Sequence, residues 1–281
     1  MKKYKKFIML VFALVLVCTF AGCSNESDQD QDQDITNITV STSDINVFNG
    51  QKITITANIN SGEVNKVTFY FDGVEIGSSI YAPYVKEYTL QDVAPGTHKV
   101  TCIAETKWGN QIQDETNVSL TLRLGDEYQG GKIFYLEENG KNGLIASKED
   151  LSYNSDQGIE LRFYWGVPGE LLGTSLDNGK ENTALMANKA TSPGCAAYHF
   201  KNGYEYNGFN DWYIPSYNEL ELLKENKSYV GNFSNLTDWN AMYWSSSEQS
   251  ETKAFILNFN ALMGNTNNKE RVFKIRPIRQ F

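Results

Sequence analysis

Val67-Thr68-Phe69-Tyr70-Phe71-Asp72-Gly73-Val74-Glu75-Ile76 decides how the first half of this chain folds. Val67, Phe69 and Phe71 fall on one face of an extended segment, with Thr68, Tyr70 and Asp72 on the other. Asp72-Gly73 supplies the two positions that accept φ > 0 in a type I′ turn, and Val74-Glu75-Ile76 continues as the partner strand. Further out, Pro95-Gly96 marks another turn, and His98 to Thr106 alternates again with Val100, Cys102 and Ala104 inward. About seven such strands fit between Ile35 and Leu124, so residues 35–124 are expected to form an all-β sandwich. Cys102 reads as a small core residue and His98 as a side chain satisfied near a strand start.

The stretch from Val67 through Ala82-Pro83-Tyr84 to Gly96-Thr97-His98 resembles the bacterial immunoglobulin-like repeats of surface proteins. That resemblance implies that residues 35–124 are an immunoglobulin-like sandwich serving as a stalk or spacer. Upstream, Lys2, Lys3, Lys5 and Lys6 precede an apolar run from Phe7 to Phe20, a basic n-region and h-region of secretory type. Phe20-Ala21-Gly22-Cys23 resembles a bacterial lipobox, which implies a signal peptide over residues 1–22 and a lipid on Cys23. Residues 23–34 are polar and acidic, with Asp and Gln alternating to Asp34, and read as a solvated tether. An acidic segment behind the lipid cysteine resembles a surface-export signal. The expected location is therefore the outer membrane, facing the exterior, with a periplasm-facing spacer as the open alternative.

The full chain has 281 residues, 34 acids against 25 basic side chains, and a net charge of −9. Removing residues 1–22, which hold four lysines and no acid, takes that charge to −13. An acid excess of this size excludes nucleic acid as a partner, since phosphate contacts need clustered Lys and Arg.

Residues 125–281 have a different character, richer in Gly, Asn, Trp and Tyr. Gly125 to Gly131 is a turn cluster leading into an apolar strand, Lys132 to Leu136, and Gly143-Leu144-Ile145-Ala146 reads as its returning partner. Glu181 to Ala190 has helical composition. Ser216-Tyr217-Asn218-Glu219 is a capping box before Leu220, Leu222 and Leu223, which gives Ser216 and Glu219 structural roles. Strand-like alternation at Phe255, Leu257 and Phe259 and a last basic strand from Arg271 to Arg279 complete an α+β unit with two short helices.

Four blocks in order carry a second resemblance. They are Gly125-Asp126 with Gly130-Gly131-Lys132-Ile133-Phe134-Tyr135; Gly143-Leu144-Ile145-Ala146; Asp211-Trp212-Tyr213-Ile214-Pro215-Ser216 with Glu219-Leu220; and Tyr243-Trp244-Ser245-Ser246-Ser247-Glu248. With the closing Arg271-Val272 and Ile275-Arg276-Pro277-Ile278-Arg279, residues 125–281 resemble the Lcl C-terminal domain family. The resemblance implies a C-type-lectin-like fold and binding of glycans, without catalytic chemistry.

Trp212, Trp244, Ser245, Ser247, Glu248, Arg276 and Arg279 form the candidate ligand set, with Asp211 as a motif residue beside it. Indole faces pack on sugar C–H groups while carboxylates and guanidinium groups bind hydroxyls. The same residues fit a second reading, in which both tryptophans are core and the arginines are held by Asp211, Glu219 or Glu248. Lys269, Arg271, Lys274, Arg276 and Arg279 could form a local anion patch. Cys195 and His199 would meet on a helix, but small apolar neighbours and the lack of an orienting acid argue against a catalytic pair. No Gly-x-Ser-x-Gly elbow surrounds the serines, and no enzyme is expected. Asp156, Glu248 and several Asn offer oxygens for calcium, but the Glu-Pro-Asn and Trp-Asn-Asp signatures are missing. No cofactor is expected, and a metal is left open.

These readings imply a surface-anchored, non-catalytic binding protein or adhesin that recognises an extracellular glycan or glycoprotein through residues 125–281. The alternative is a structural subunit of a cell-surface assembly, such as a pilus tip or glycan-uptake complex, making protein–protein contacts. Its partners would be the membrane, through the N-terminal lipid, and the extracellular ligand.

Overall fold

Alternation builds two facing sheets in the computed structural model, which describes residues 37–261 and 264–281. The expected signal peptide, Cys23 and the acidic tether lie outside the described residues. The first sheet holds β1 (Ile38–Thr42), β3 (Lys52–Ile59) and β6 (Tyr84–Thr89), in the order β1-β3-β6. The second holds β2 (Asn46–Val47), β4 (Val64–Phe71), β5 (Val74–Ser79), β7 (Gly96–Thr106) and β8 (Gln111–Leu120), in the order β2-β8-β7-β4-β5. Only β2–β8 is parallel.

Between the sheets Ile53, Ile55, Val67, Phe69, Leu90, Val100, Cys102 and Ala104 are wholly buried. This is an immunoglobulin-like sandwich, its inner faces filled from alternate positions of each strand. Asp72 (φ 47°) and Gly73 (φ 79°) both take the left-handed conformation that the type I′ turn requires. His98 is satisfied, with Nδ1 2.6 Å from Asp72 Oδ2 and Nε2 2.8 Å from the Ala94 carbonyl.

The rest of the chain is α+β. A four-stranded sheet takes β9 (Glu127–Tyr128), β10 (Gly131–Leu136), β11 (Gly143–Ala146) and β19 (Ile278–Gln280), in the order β19-β11-β10-β9. A hairpin of β12 (Tyr153–Ser155) and β13 (Gly158–Glu160) and a short pair of β14 (Phe163–Tyr164) with β18 (Val272–Phe273) lie apart from it. The third sheet is β15 (Met242–Glu248), β16 (Lys253–Asn258) and β17 (Gly264–Asn268). The described residues hold four α-helices rather than two: α1 (Gly179–Lys189), α2 (Ala196–Lys201), α3 (Tyr217–Glu225) and α4 (Lys227–Val230). The capping box forms at α3 as expected, and Glu219 also accepts from the Gly179 amide and the Tyr213 hydroxyl.

Two readings of strands need correction. The basic run from Arg271 to Arg279 is not one strand; it splits into β18 and β19 around Pro277, which has no N–H for a ladder. Period-two alternation also fails in β16, where Ala254, Ile256, Leu257 and Asn258 are all buried. That strand is central in its sheet and covered on both faces.

Tyr128, Ile133, Ile145 and Trp212 pack into one apolar cluster with Leu120 and Leu122 of the sandwich end. Gln129 (φ 44°) clasps the same junction, its N–H donating to Asp92 Oδ1 at 2.7 Å.

Candidate functional site

The structure places the whole candidate ligand set inside the protein. Trp212, Trp244, Ser245, Ser247, Glu248, Arg276 and Arg279 are all buried. Each spends its polar atoms internally. Trp212 donates to the Tyr206 carbonyl (3.1 Å) and Trp244 to that of Phe163 (2.9 Å). Ser245 Oγ donates to the Phe255 carbonyl, and Ser247 Oγ donates to that of Ser175 while accepting from the Tyr217 amide. The Glu248 carboxylate accepts from the Leu172 and Thr174 amides and from Lys269 Nζ at 2.7 Å. Among the described residues no buried side-chain nitrogen or oxygen lacks a partner. Direct ligand contact by this set is therefore corrected to a structural role: buried polar groups need partners, and these have found theirs within the fold.

The expected anion patch dissolves for the same reason. Arg279 grips Asp211 through Nε (2.6 Å) and Nη2 (2.9 Å), and its Nη1 donates to the Gln129 carbonyl and side chain. That Arg279 hydrogen bond holds the Asp211 carboxyl below the usual carboxylate range. Arg276 pairs with Asp150 at 2.7 Å and donates to the Ser147, Gly231 and Asn232 carbonyls. Lys274 shares Asp150, and Lys269 lies wholly buried against Glu248. A buried charge is tolerated only when paired, so four of the five basic residues are drawn inward. Of the cluster only Arg271 stands exposed.

Arg271 leads to a surface that the motif reading missed. It lines a cleft of about 390 Å³ with Arg162, Trp239, Asn267, Val272 and Phe273. Trp239 opens the short 3₁₀ turn Trp239–Ala241 before β15 and is 62% exposed. Its ring lies nearly parallel to Phe273 (22°, centroids 6.4 Å apart), and Phe273 is held edge-on by Trp244 at 4.9 Å. The buried motif tryptophan thus supports the exposed one from beneath. Arg162 and Arg271 are both exposed. Arg162 and Val272 continue into an adjoining groove lined by Ile159, Leu161, Leu236 and Lys274, where the aliphatic side chains Ile159, Leu161 and Leu236 face solvent.

Other candidate chemistry does not assemble. Cys195 caps α2 from outside and directs Sγ toward the Trp165 carbonyl, while His199 Nε2 meets the Pro193 carbonyl at 2.8 Å. The two do not form a pair. Cys102 and Cys195 are both free and buried. Burial pushes the Cys102 thiol up to about 12 and also raises that of Cys195. Among the described residues no cluster of three His, Cys, Asp or Glu could hold a metal. Asp156 sits exposed in the β12–β13 turn, and Glu248 is committed to Lys269.

Fold and cleft together define a β-sandwich joined to an α+β unit with an aromatic, arginine-lined surface. Residues 35–102 match the family model of the bacterial Ig domain. No curated protein matches the chain. Among solved structures it is similar to the fibronectin(III)-like modules of Clostridium thermocellum CbhA, at 24% identity over 31% of this chain and 98% of that one, TM-score 0.27. It is also similar to a carbohydrate-binding module of the β-sandwich superfamily (12% identity, 47% and 54% coverage, TM-score 0.28). A third is SGBP-B of the Bacteroides ovatus mixed-linkage glucan utilization locus (13%, 41% and 34%, TM-score 0.25). Likenesses of this size bear on neither ligand nor role.

Proposed function

We propose that this chain is a surface-anchored, non-catalytic binding protein that takes an extracellular glycan at the Trp239 cleft. In this reading Cys23 carries the lipid that holds it to the outer membrane, residues 23–34 are the tether, residues 35–124 a spacer and residues 125–281 the binding unit, of C-type-lectin-like type. One observation carries it: a well-exposed indole, backed by Phe273, shares a cleft with two exposed arginines and an amide. An indole face packs on the C–H groups of a pyranose, Asn267 suits hydroxyls, and a guanidinium fork suits a carboxylate or sulfate. The cleft is cationic on an otherwise acidic chain, which favours a sugar bearing an acidic group.

The test is a glycan array on the full chain, followed by titration of the best binder. Trp239→Ala should weaken binding at least tenfold, about 1.4 kcal/mol, and Arg271→Ala should reduce it with a shallower salt dependence. Trp108→Ala should leave it unchanged. Undiminished binding by Trp239→Ala would refute the site. A second reading rests on the aliphatic groove beside the cleft, since Ile159, Leu161, Leu236 and Val272 suit a protein surface better than a sugar. Co-purification of a protein lost on Leu236→Ser, with no glycan bound, would select it.

A further inference from the structure

The sandwich has two poles, and the chain enters at one of them. β1 begins at Ile38, paired with Ile59, so residue 37 lies at the pole made by the β3–β4, β5–β6 and β7–β8 connections. The register fixes this: Val64 faces Thr106 and Val67 faces both Ala104 and Ser79, so the three connections leave their strands at one level. The opposite pole, where β8 ends at Leu120 beside Gly96, is the one covered by the α+β unit.

The entry pole presents three large apolar side chains to solvent: Tyr81 (78% exposed), Ile80 (55%) and Trp108 (49%). They are held out rather than loose. The Ser79 hydroxyl donates to the Tyr81 carbonyl, and the Thr106 hydroxyl accepts from the Trp108 and Asn110 amides in a turn where Gly109 takes φ 82°. Charges around them are of both signs: Lys107 pairs with Glu63, and Glu105, which accepts from Asn65, stands opposite Lys66 in the register. On a chain with a net charge of −9, this end sets Lys66 and Lys107 against Glu63 and Glu105 and so carries no acid excess.

We infer that this pole rests on the lipid surface, with Trp108, Tyr81 and Ile80 seated at the headgroup level. The inference rests on the reading of Cys23 as the lipidated residue. From Cys23 to residue 37 there are 14 residues, which span at most about 50 Å extended and average roughly 20 Å as a flexible coil. A tether of that length would keep the entry pole within reach of the bilayer. Trp and Tyr suit that position because their rings are apolar on one side and can hydrogen-bond at the other. The rings would add a second contact to the one that the lipid supplies.

The full chain, purified with its native N-terminus, is incorporated in phosphatidylethanolamine/phosphatidylglycerol vesicles with or without brominated acyl chains. Mass spectrometry of the N-terminal peptide is read in parallel. Bromine should quench part of the tryptophan emission, Trp108→Phe should abolish that quenching, and Trp239→Phe should retain it. Tyr81→Ser with Ile80→Ser should reduce it at least twofold while Trp108 is still present. A lipidated Cys23 with no bromine quenching, or with quenching unchanged in Trp108→Phe, would overturn the contact and leave the anchor standing. An N-terminal peptide without lipid would overturn both. A protein crosslinked to position 81 in cells, with Trp108 unquenched, would hand the pole to a protein partner instead.

Discussion

Replacing Lys269 by Met separates a structural Glu248 from a ligand-binding one. Lys269 Nζ lies 2.7 Å from Glu248 Oε2, both side chains are essentially inaccessible, and the ammonium also stands 4.4 Å over the Trp165 ring. At an effective dielectric constant of about 20, two unit charges at that distance attract by about 6 kcal/mol. Desolvation of both ions offsets much of this, so the pair is not worth that sum. Its rupture is another matter. Lys269→Met leaves a buried carboxylate held only by the Leu172 and Thr174 amides, and losses of about 3–5 kcal/mol follow such changes. Glu248→Gln should cost a similar amount by stranding the ammonium. The double variant Glu248→Gln/Lys269→Met removes both charges and should recover at least about 2 kcal/mol of the summed losses, a coupling typical of contacting residues. Urea unfolding of the four proteins, fitted with a common m-value, measures all of this. Lys269→Met within about 1 kcal/mol of the parent would refute the reasoning. So would a stable Glu248→Gln that had merely lost its ligand, because substitutions outside packed or paired sites stay within about 0.5 kcal/mol.

Two other outcomes follow from single contacts. The folded Asp211 carboxyl titrates below its unfolded value, so its bond to Arg279 stabilises the protein above about pH 4 and is lost as pH falls through the lower folded value. A melting-temperature series from pH 2.5 to 7 should therefore be flatter for Asp211→Asn than for the parent, and identical slopes would refute the assignment. Cys102 and Cys195 are buried, with raised thiol values. Iodoacetamide should leave both unmodified in the native protein at pH 8 and label both in 6 M guanidinium; native labelling at the unfolded rate would refute their burial.

Much of the fold was legible because its causes are local. Alternation placed Val67, Phe69, Phe71, Val100 and Cys102 in the core, Asp72-Gly73 announced the hairpin, and Ser216 with Glu219 announced α3. The candidate site was not legible in the same way. Arg279 found Asp211, one of the partners expected of it, but Arg276 found Asp150, 126 residues away, and no spacing rule points there. The blocks that carried the resemblance over residues 125–281 hold the unit together, and their aromatic and charged residues are interior. Trp239 carried a weaker signal that could have been used. It sits in Ser234-Asn235-Leu236-Thr237-Asp238-Trp239-Asn240, a polar stretch with neither period, where a tryptophan has no core face to occupy. Arg162 and Arg271 are brought to it only by β14 pairing with β18, a contact between strands 108 residues apart in sequence.

Gln129 has a mechanical meaning. Its backbone is tied to Asp92 on the sandwich and to Arg279 in the neighbouring sheet, across an apolar joint that includes Leu122 and Tyr128. A tethered receptor pulled sideways by moving fluid would normally swivel at such a joint and let the load escape. Here the tension would run from the β19–β11 edge through one guanidinium into the β6–β7 connection, so the two halves would lean together as a single rod. On the proposed tethering, the sandwich would then act as a lever arm, setting how far from the anchor residues 125–281 are held.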